Sequence, residues 1–297
     1  MSWYSDRTIE GKRVVWAWSF LAVPLIFYVV IRLYPTVEAF WVSFHTWKLI
    51  GERRFVGLDN YWKLWADPLF WKVFRNTFAY LIIGTPISLA LSFLVACQLD
   101  RVRFMHGFIR ALYFLPFLTT AAAMAWVFRW FYQPLPMGVL NMAIASLGFE
   151  QVKFMSSTSN ALYSVLAVAV WHGLGFQIVI FLAGLRAIPE TYYEAARIDG
   201  VSRWTILSEI TIPLLKPTIV FLVVFSSIAY LRIFDQVYNM TTNDPGGPLN
   251  STKPLVLYIY ETAFRSYELG YAAAQTVVLF LVLLSISLLQ LRLMRDK

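Results

Sequence analysis

Six long stretches of this chain carry almost no charge, and this feature limits it to folds that place helices in a bilayer. A hydrocarbon core roughly 30 Å thick is crossed by about 20 apolar residues of helix. Five stretches contain a long segment without Asp, Glu, Lys or Arg, and a sixth begins at Pro217 and continues past Arg232 and Asp235. The predicted spans are about 14–34, 77–98, 110–131, 161–185, 217–238 and 269–291.

The composition agrees with this interpretation. Apolar residues make up 59% of the 297 residues and charged residues 14%, and mean hydropathy is +0.61. Soluble globular domains contain about 45–50% apolar and about 25% charged residues, so an ordinary soluble enzyme is excluded. The sequence therefore predicts an all-α integral membrane protein with a single transmembrane domain over residues 1–297.

The basic residues indicate the orientation of the spans. They concentrate before the first span, between the second and third, in residues 186–216 and at the C-terminus, while the opposite connections are longer and less basic. By the positive-inside rule, both termini are predicted to be cytosolic. The first span is too long for the apolar region of a signal peptide and is expected to remain as an anchor.

Residues 186–216 form a cytosolic connection that is too long to be a simple link. Pro189 and Glu190 are typical of a helix start, and Gly200 is a plausible helix end. Ser202 can cap a second helix with Trp204 on its apolar side, until Pro213 and Pro217 interrupt it. The prediction is a helix, a glycine turn and a second helix at the cytosolic surface.

A specific motif lies in this connection. Glu194-Ala195-Ala196-Arg197-Ile198-Asp199-Gly200 is followed, after nine residues, by Ile210-Thr211-Ile212-Pro213. This pattern resembles the EAA loop of binding-protein-dependent ABC importer permeases, with Ile212 where the family usually has Leu. Residues 55–61, Asn76-Thr77, Ile188-Pro189 and Gly246-Gly247-Pro248 look like further landmarks of the carbohydrate-type permeases, which include the larger permease subunits of the maltose and glycerol-3-phosphate importers. The chain departs from the maltose-type subunit in having six predicted spans rather than eight.

The resemblance implies a type I ABC importer permease fold and a defined set of partners. These are a second permease subunit, two ABC ATPase subunits that bind Mg-ATP, an extracytoplasmic solute-binding protein and the lipid bilayer of a prokaryotic plasma (inner) membrane. It also implies that the loop is the coupling helix, which docks in a cleft of the ATPase. The coupling residues it indicates are Tyr193, Glu194, Ala195, Ala196, Asp199 and Gly200.

The spans beside the coupling loop line the solute route in this family. Two sets of residues recur at helical spacing on these spans: Trp171, Leu174, Gly175 and Ile178, and Tyr230, Ile233 and Phe234. Aromatic rings can stack on sugar faces, and glycine permits close approach. Small residues in membrane helices also serve helix packing, so a substrate pathway and simple packing both remain open for this set.

Several other functions find little support in the sequence. No Gly-rich phosphate-binding motif with Lys-Ser or Lys-Thr occurs, no basic patch points to nucleic acid, and His45, His106 and His172 are too scattered for a metal site. An integral-membrane enzyme would need clustered titratable groups, and a proton-coupled carrier would need them within several spans. The leading prediction is a non-enzymatic permease subunit for a sugar, oligosaccharide or polyol. A permease for another solute, such as an amino acid or phosphate, is the alternative.

Overall fold

The computed structural model describes residues 3–48, 51–102 and 106–294. The basic residues Arg103, Arg295 and Lys297, which were used to orient the chain, lie outside these ranges. The described residues are mostly helical, with one short antiparallel pair of strands in which His45 faces Phe55.

The elements follow in chain order. They are α1 (Trp3–Tyr28), a π-helical turn (Val29–Leu33), α2 (Tyr34–Val42), β1 (His45–Thr46), β2 (Arg54–Phe55), α3 (Asp59–Ala66), α4 (Pro68–Arg101), α5 (His106–Leu118), α6 (Ala121–Phe131), α7 (Val139–Ser146), α8 (Ala161–Ala187), α9 (Glu190–Ile198), α10 (Arg203–Thr205), a π-helical segment (Ile206–Thr211), α11 (Ile212–Leu214), α12 (Lys216–Leu231), α13 (Asp235–Met240), a 3₁₀ turn (Pro248–Asn250), α14 (Leu255–Phe264) and α15 (Leu269–Met294).

Four described helices are long and apolar enough to cross a membrane. They are Gly11–Val42, Pro68–Arg101, Ala161–Ala187 and Leu269–Met294. Two bent helix pairs would raise the number to six if each pair makes one span. The boundaries and number of the spans in a bilayer stay predictions.

The third predicted span is broken in its middle. Helices α5 and α6 meet at an angle of 94°, between Leu118 and Ala121. The Thr120 hydroxyl accepts a hydrogen bond from the backbone N–H of Ala123 at 3.2 Å, so it starts a new helix in the way of an N-cap residue. The carbonyl of Thr119 accepts a hydrogen bond from His172 on α8, at 3.1 Å from Nε2. Hydropathy could not reveal this break because both arms are equally apolar.

The fifth predicted span also differs from the expected continuous helix. Helix α12 ends at Leu231, and the backbone is outside the helical region at Arg232 (φ −107°, ψ 17°) and at Phe234 (φ −141°, ψ −60°) before α13 begins at Asp235. Arg232 and Asp235 are three residues apart, a spacing that would let them pair if both lay on one continuous helix. Both side chains are exposed, and within the described residues no ion pair joins them. The helical spacing rule fails here because the two residues lie on different elements.

The chain divides into two compact units. The first comprises residues up to Ala66 and Thr262–Val278. In it, Asn60 of α3 donates hydrogen bonds to the carbonyls of Ser43 (2.8 Å) and His45 (3.0 Å), which fixes the strand pair to α3. Nearly every side chain between Gly11 and Val37 is exposed, so this helix surface is available to lipid or to another subunit.

The second unit comprises Asp67–Glu261 and residues from Leu279 on, and it has α4, α8 and α12 at its centre. One apolar cluster surrounds Tyr80, Val165 and Tyr230, and a second surrounds Leu99, Ile178 and Leu222. Between these helices, the buried amide of Gln177 donates to Ser88 (3.2 Å) and Ser226 (3.0 Å) and accepts from Ser92 (3.0 Å). Polar side chains of this kind join helices that hydrocarbon alone would not hold together.

Helix α5 packs against α8 at Gly175. A Cβ built on Gly175 would lie 2.4 Å from the backbone oxygen of Tyr113 and 2.9 Å from the Cα of Phe114. Backbone atoms cannot move aside as a flexible side chain can, so only glycine permits this approach. The structure therefore gives Gly175 a packing role.

We expect Gly175→Ala to destabilise the protein, and Gly173→Ala on the same helix serves as the matched control. The first substitution overpacks a helix contact and should cost about 1–3 kcal/mol of unfolding free energy. A Cβ at Gly173 meets only the Gln177 amide nitrogen, at 4.0 Å. Gly173→Ala should therefore be neutral or stabilising by up to about 1 kcal/mol. Thermal unfolding in detergent measures both, and equal stability of the two variants would contradict the packing role.

Candidate coupling segment and solute-facing helices

The connection between α8 and α12 folds as two short helices joined by a tight turn, as the sequence predicts. Helix α9 begins at Glu190 after Pro189 and ends at Ile198. The second helix runs from Arg203 to Leu214, then bends by 68° into α12. We refer to Glu190–Leu214 as the coupling segment.

The turn after α9 is closed by a pair of backbone hydrogen bonds. The N–H of Val201 donates to the carbonyl of Ala196 at 3.0 Å, and the N–H of Gly200 donates to that of Arg197 at 3.2 Å. This is the Schellman arrangement, with Gly200 at φ +67° in the left-handed region. No atom lies within 4 Å of a Cβ built at Gly200, so backbone conformation and not space favours glycine there.

The second helix of the coupling segment is capped at its N-terminus and contacts α9. The Ser202 hydroxyl caps it by accepting from the N–H of Thr205 at 3.1 Å, and the hydroxyls of Tyr193 and Thr211 are 3.3 Å apart. The helix ends at Leu214, between Pro213 and Pro217, as the sequence predicts. Trp204, which was expected on the apolar side of this helix, is 74% exposed.

The predicted coupling residues divide between two sides of α9. Ala196 is buried at 4% exposure and Tyr193 is half-buried, so these two hold α9 against the helix bundle. The exposed members are Glu194, Ala195, Asp199 and Gly200. Their contact with a partner stays a prediction.

Ile198 is a residue of this surface that the sequence reading missed. It lies one turn after Glu194 on α9 and is 86% exposed, which is unusual for a large apolar side chain. The signal was present in the sequence: within Glu194–Gly200, Ile198 is an apolar residue opposite the buried Ala196. Glu194 and Ile198 therefore form an outward stripe with one charged and one apolar member.

Most of the predicted pathway residues lie inside the helix bundle of this chain. Gly175, Ile178, Tyr230 and Ile233 are buried, and Phe234 stacks on Tyr238 with ring centroids 5.3 Å apart. Leu174 is half-buried, and Trp171 is 44% exposed. These positions favour packing for the buried members, and the pathway role of the set stays a prediction.

A row of aromatic rings crosses from α5 to α8 and α12. Phe117 stacks on Phe176 at 5.2 Å, Phe176 contacts Phe225 at 4.7 Å, and Phe225 stacks on Phe221 at 6.0 Å. Phe221 and Phe225 are 50% and 41% exposed. We call these four residues the aromatic row. Only the four-residue spacing of Phe221 and Phe225 on α12 was visible in the sequence, since the other contacts join separate helices.

The comparisons with known proteins agree with this architecture. Residues 99–296 match the family described as "Binding-protein-dependent transport system inner membrane component". The chain belongs to this family. It is therefore an inner-membrane transport component and not an enzyme, as the sequence motif indicated.

Two relatives and one solved structure match this chain over most of their own length. The chain is 32% identical to the lactose transport system permease protein LacF of Rhizobium radiobacter, with all of both chains covered. It is 34% identical to the arabinooligosaccharides transport system permease protein AraP of Bacillus subtilis, over 92% of this chain and 87% of AraP. A crystal structure of a bacterial ABC transporter involved in alginate import matches with a TM-score of 0.84, 21% identity and coverage of 97% of this chain and 98% of that one. The type I ABC permease fold predicted from the sequence is confirmed.

The glycine turn provides a test of how the coupling segment is built. We expect Gly200→Val to impair coupling strongly and Gly200→Asn to impair it little. A side chain in the left-handed region costs about 1–2 kcal/mol, and asparagine tolerates that region better than a β-branched residue. The measurement is binding-protein-stimulated ATP hydrolysis of the assembled complex.

A second outcome separates conformation from contact. If steric contact at Gly200 mattered, both side chains would be harmful, and Asn would fail as Val does. Equal loss in the two variants would therefore contradict the conformational reading of Gly200.

Proposed function

We propose that this chain is one permease subunit of a type I ABC importer, and that it passes a sugar, oligosaccharide or polyol across the inner membrane. An extracytoplasmic binding protein delivers the solute. A second permease completes the pathway, and two ATPase subunits bind and hydrolyse Mg-ATP. In this arrangement both termini and the coupling segment face the cytosol, in agreement with the distribution of basic residues.

The coupling segment is the observation on which this proposal rests. Its two short helices contact each other, and α9 carries Glu194 and Ile198 on its exposed side. An exposed isoleucine can fill an apolar pocket of a partner, and a neighbouring carboxylate can accept charge-assisted hydrogen bonds from it. Such a surface suits docking into a cleft better than a solvated loop would.

Energy from ATP reaches the helices as a population shift. The ATPase dimer closes, carries the coupling segment with it and changes the balance between inward-facing and outward-facing arrangements of the bundle. This chain supplies the docking surface and the helices that move. The chemistry of ATP takes place on the partner chains.

The carbohydrate class has two supports. The relatives LacF and AraP are described as lactose and arabinooligosaccharide permeases. In addition, the aromatic row and Trp171 expose ring surface along α8 and α12. Flat aromatic surface can hold the apolar face of a sugar ring without a strong polar contact, so the solute is released easily. An amino acid or phosphate permease is the alternative.

The docking role is tested with Ile198→Asp. Placing a charge at the apolar anchor should reduce the ATPase retained on affinity-purified permease at least roughly tenfold, because a buried aliphatic anchor is worth about 1.5–3 kcal/mol. Leu147→Asp is the matched control, because Leu147 is 74% exposed and lies outside the coupling segment. If no ATPase co-purified with the unaltered permease, or if Ile198→Asp retained it fully, the docking role would be wrong.

The solute class is tested by uptake into proteoliposomes containing all subunits and the co-purifying binding protein. We expect uptake of a disaccharide, an oligosaccharide or a polyol. Phe225→Ala should lower uptake roughly 2- to 10-fold, the value of one aromatic contact, while retaining the ATPase. Phe20→Ala is the control, because Phe20 is 76% exposed on the first helix. Uptake of an amino acid or phosphate alone would favour the alternative.

A further inference from the structure

A cavity of about 780 Å³ lies behind the coupling segment. Its walls come from the ends of α4 and α8, from the side of α9 that carries Tyr193, and from the second helix of the segment. Leu185, Ile188, Ile206 and Leu207 contribute apolar surface. None of these residues belongs to the outward stripe of Glu194 and Ile198.

Four arginines line this cavity, and each comes from a different helix: Arg101 from α4, Arg186 from α8, Arg197 from α9 and Arg203 from α10. The positive-inside rule requires basic residues on the cytosolic side of the membrane, but it does not require them to lie close together in the fold. Their meeting at one cavity is a property of the folded chain. It brings together residues as distant in sequence as Arg101 and Arg203.

Two carboxylates neutralise part of this charge. Arg186 pairs with Asp100 at 3.4 Å, and Arg197 lies 4.0 Å from Glu190. Arg101 and Arg203 form no ion pair within the described part of the chain. The cavity therefore has a net positive charge and two guanidinium groups available to a ligand, and guanidinium groups bind phosphate with paired hydrogen bonds.

We propose that this cavity binds a phosphate group, carried by the headgroup of an anionic phospholipid of the cytosolic leaflet. The inference rests on the proposed function for placing the cavity at the cytosolic membrane surface. Basic pockets between helices on this side suit anionic headgroups, and the apolar wall residues suit the adjoining glycerol and acyl carbons. A soluble phosphate ester has the same charged group but gains nothing from the apolar wall.

A lipid in this position contacts both the helix bundle and the coupling segment. It touches α4 and α8, which belong to the bundle, and α9 and α10, which belong to the coupling segment. Anionic lipid would therefore hold the coupling segment against the bundle, and coupling would depend on lipid composition.

The test compares Arg101→Gln/Arg203→Gln with Arg292→Gln in the full complex. Arg292 is an exposed arginine in the last turn of α15 and does not line the cavity, so it controls for the general loss of positive charge. Each complex is delipidated and placed in nanodiscs of phosphatidylcholine, with or without phosphatidylglycerol. Retained lipid is measured by native mass spectrometry, and binding-protein-stimulated ATP hydrolysis is measured in parallel.

We expect the unaltered complex and Arg292→Gln to retain phosphatidylglycerol and to be stimulated by it. The double variant should bind it about 25-fold more weakly, since each of the two basic residues near an anionic surface contributes roughly a factor of five to affinity. Retention of the lipid by the double variant at the unaltered level would overturn the proposal. So would restoration of activity in neutral discs by inorganic phosphate or glycerol phosphate, which would assign the cavity to a soluble ligand.

Loss of the ATPase subunits from the double variant in neutral detergent would also overturn the proposal, because the arginines would then contact protein and not lipid. The lipid measurement does not depend on solute transport. A complex that retained phosphatidylglycerol through Arg101 and Arg203 but transported no solute would refute the proposed function and leave the lipid site standing.

Discussion

The need to pair buried backbone polar groups governs this structure, because a buried N–H or C=O group left without a partner costs free energy. The chain leaves the helical conformation between α13 and α14, and side chains of α4 accept or donate the bonds lost there. Asn76 donates to the carbonyls of Asn250 (2.9 Å) and Lys253 (3.0 Å), Tyr80 donates to Thr252 (3.0 Å), and the Thr77 hydroxyl accepts from Leu255 (2.8 Å). Two landmarks that were separate in the sequence, Asn76-Thr77 and the loop following Gly246-Gly247-Pro248, therefore form one interaction.

Hydropathy predicts where apolar helix occurs but not where it bends. The helices over 68–101, 161–187 and 269–294 each contain one of the long uncharged runs found in the sequence. The breaks at Thr119–Thr120 and after Leu231 depend on a cap and on contacts made by His172 and Tyr238, residues that lie outside the runs concerned or beyond the break. At the first break the two arms are equally apolar, so no window-based pattern could locate it.

The candidate sites also combine features that the sequence predicts with features that it does not. The helix, turn and helix of the coupling segment follow from short-range signals, namely Pro189, Gly200 and the Ser202 cap, and these were readable. The aromatic row was not readable, because it assembles from three helices that are separated by up to about a hundred residues of chain. Helical periodicity selects one face of a helix, but whether that face meets a neighbour or an open surface is decided by tertiary packing.

The coupling segment can act as a lever because it is stiff between two helices that it joins directly. The Schellman bonds, the Ser202 cap, the buried Ala196 and the Tyr193–Thr211 contact leave little freedom within it. It follows α8 immediately and leads into α12 through Leu215, which is buried at 1% exposure. Phe176 lies on α8, and Phe221 and Phe225 lie on α12. In the proposed mechanism, a displacement of the coupling segment is therefore passed to the two helices whose aromatic rings would contact the solute, without any intervening flexible loop.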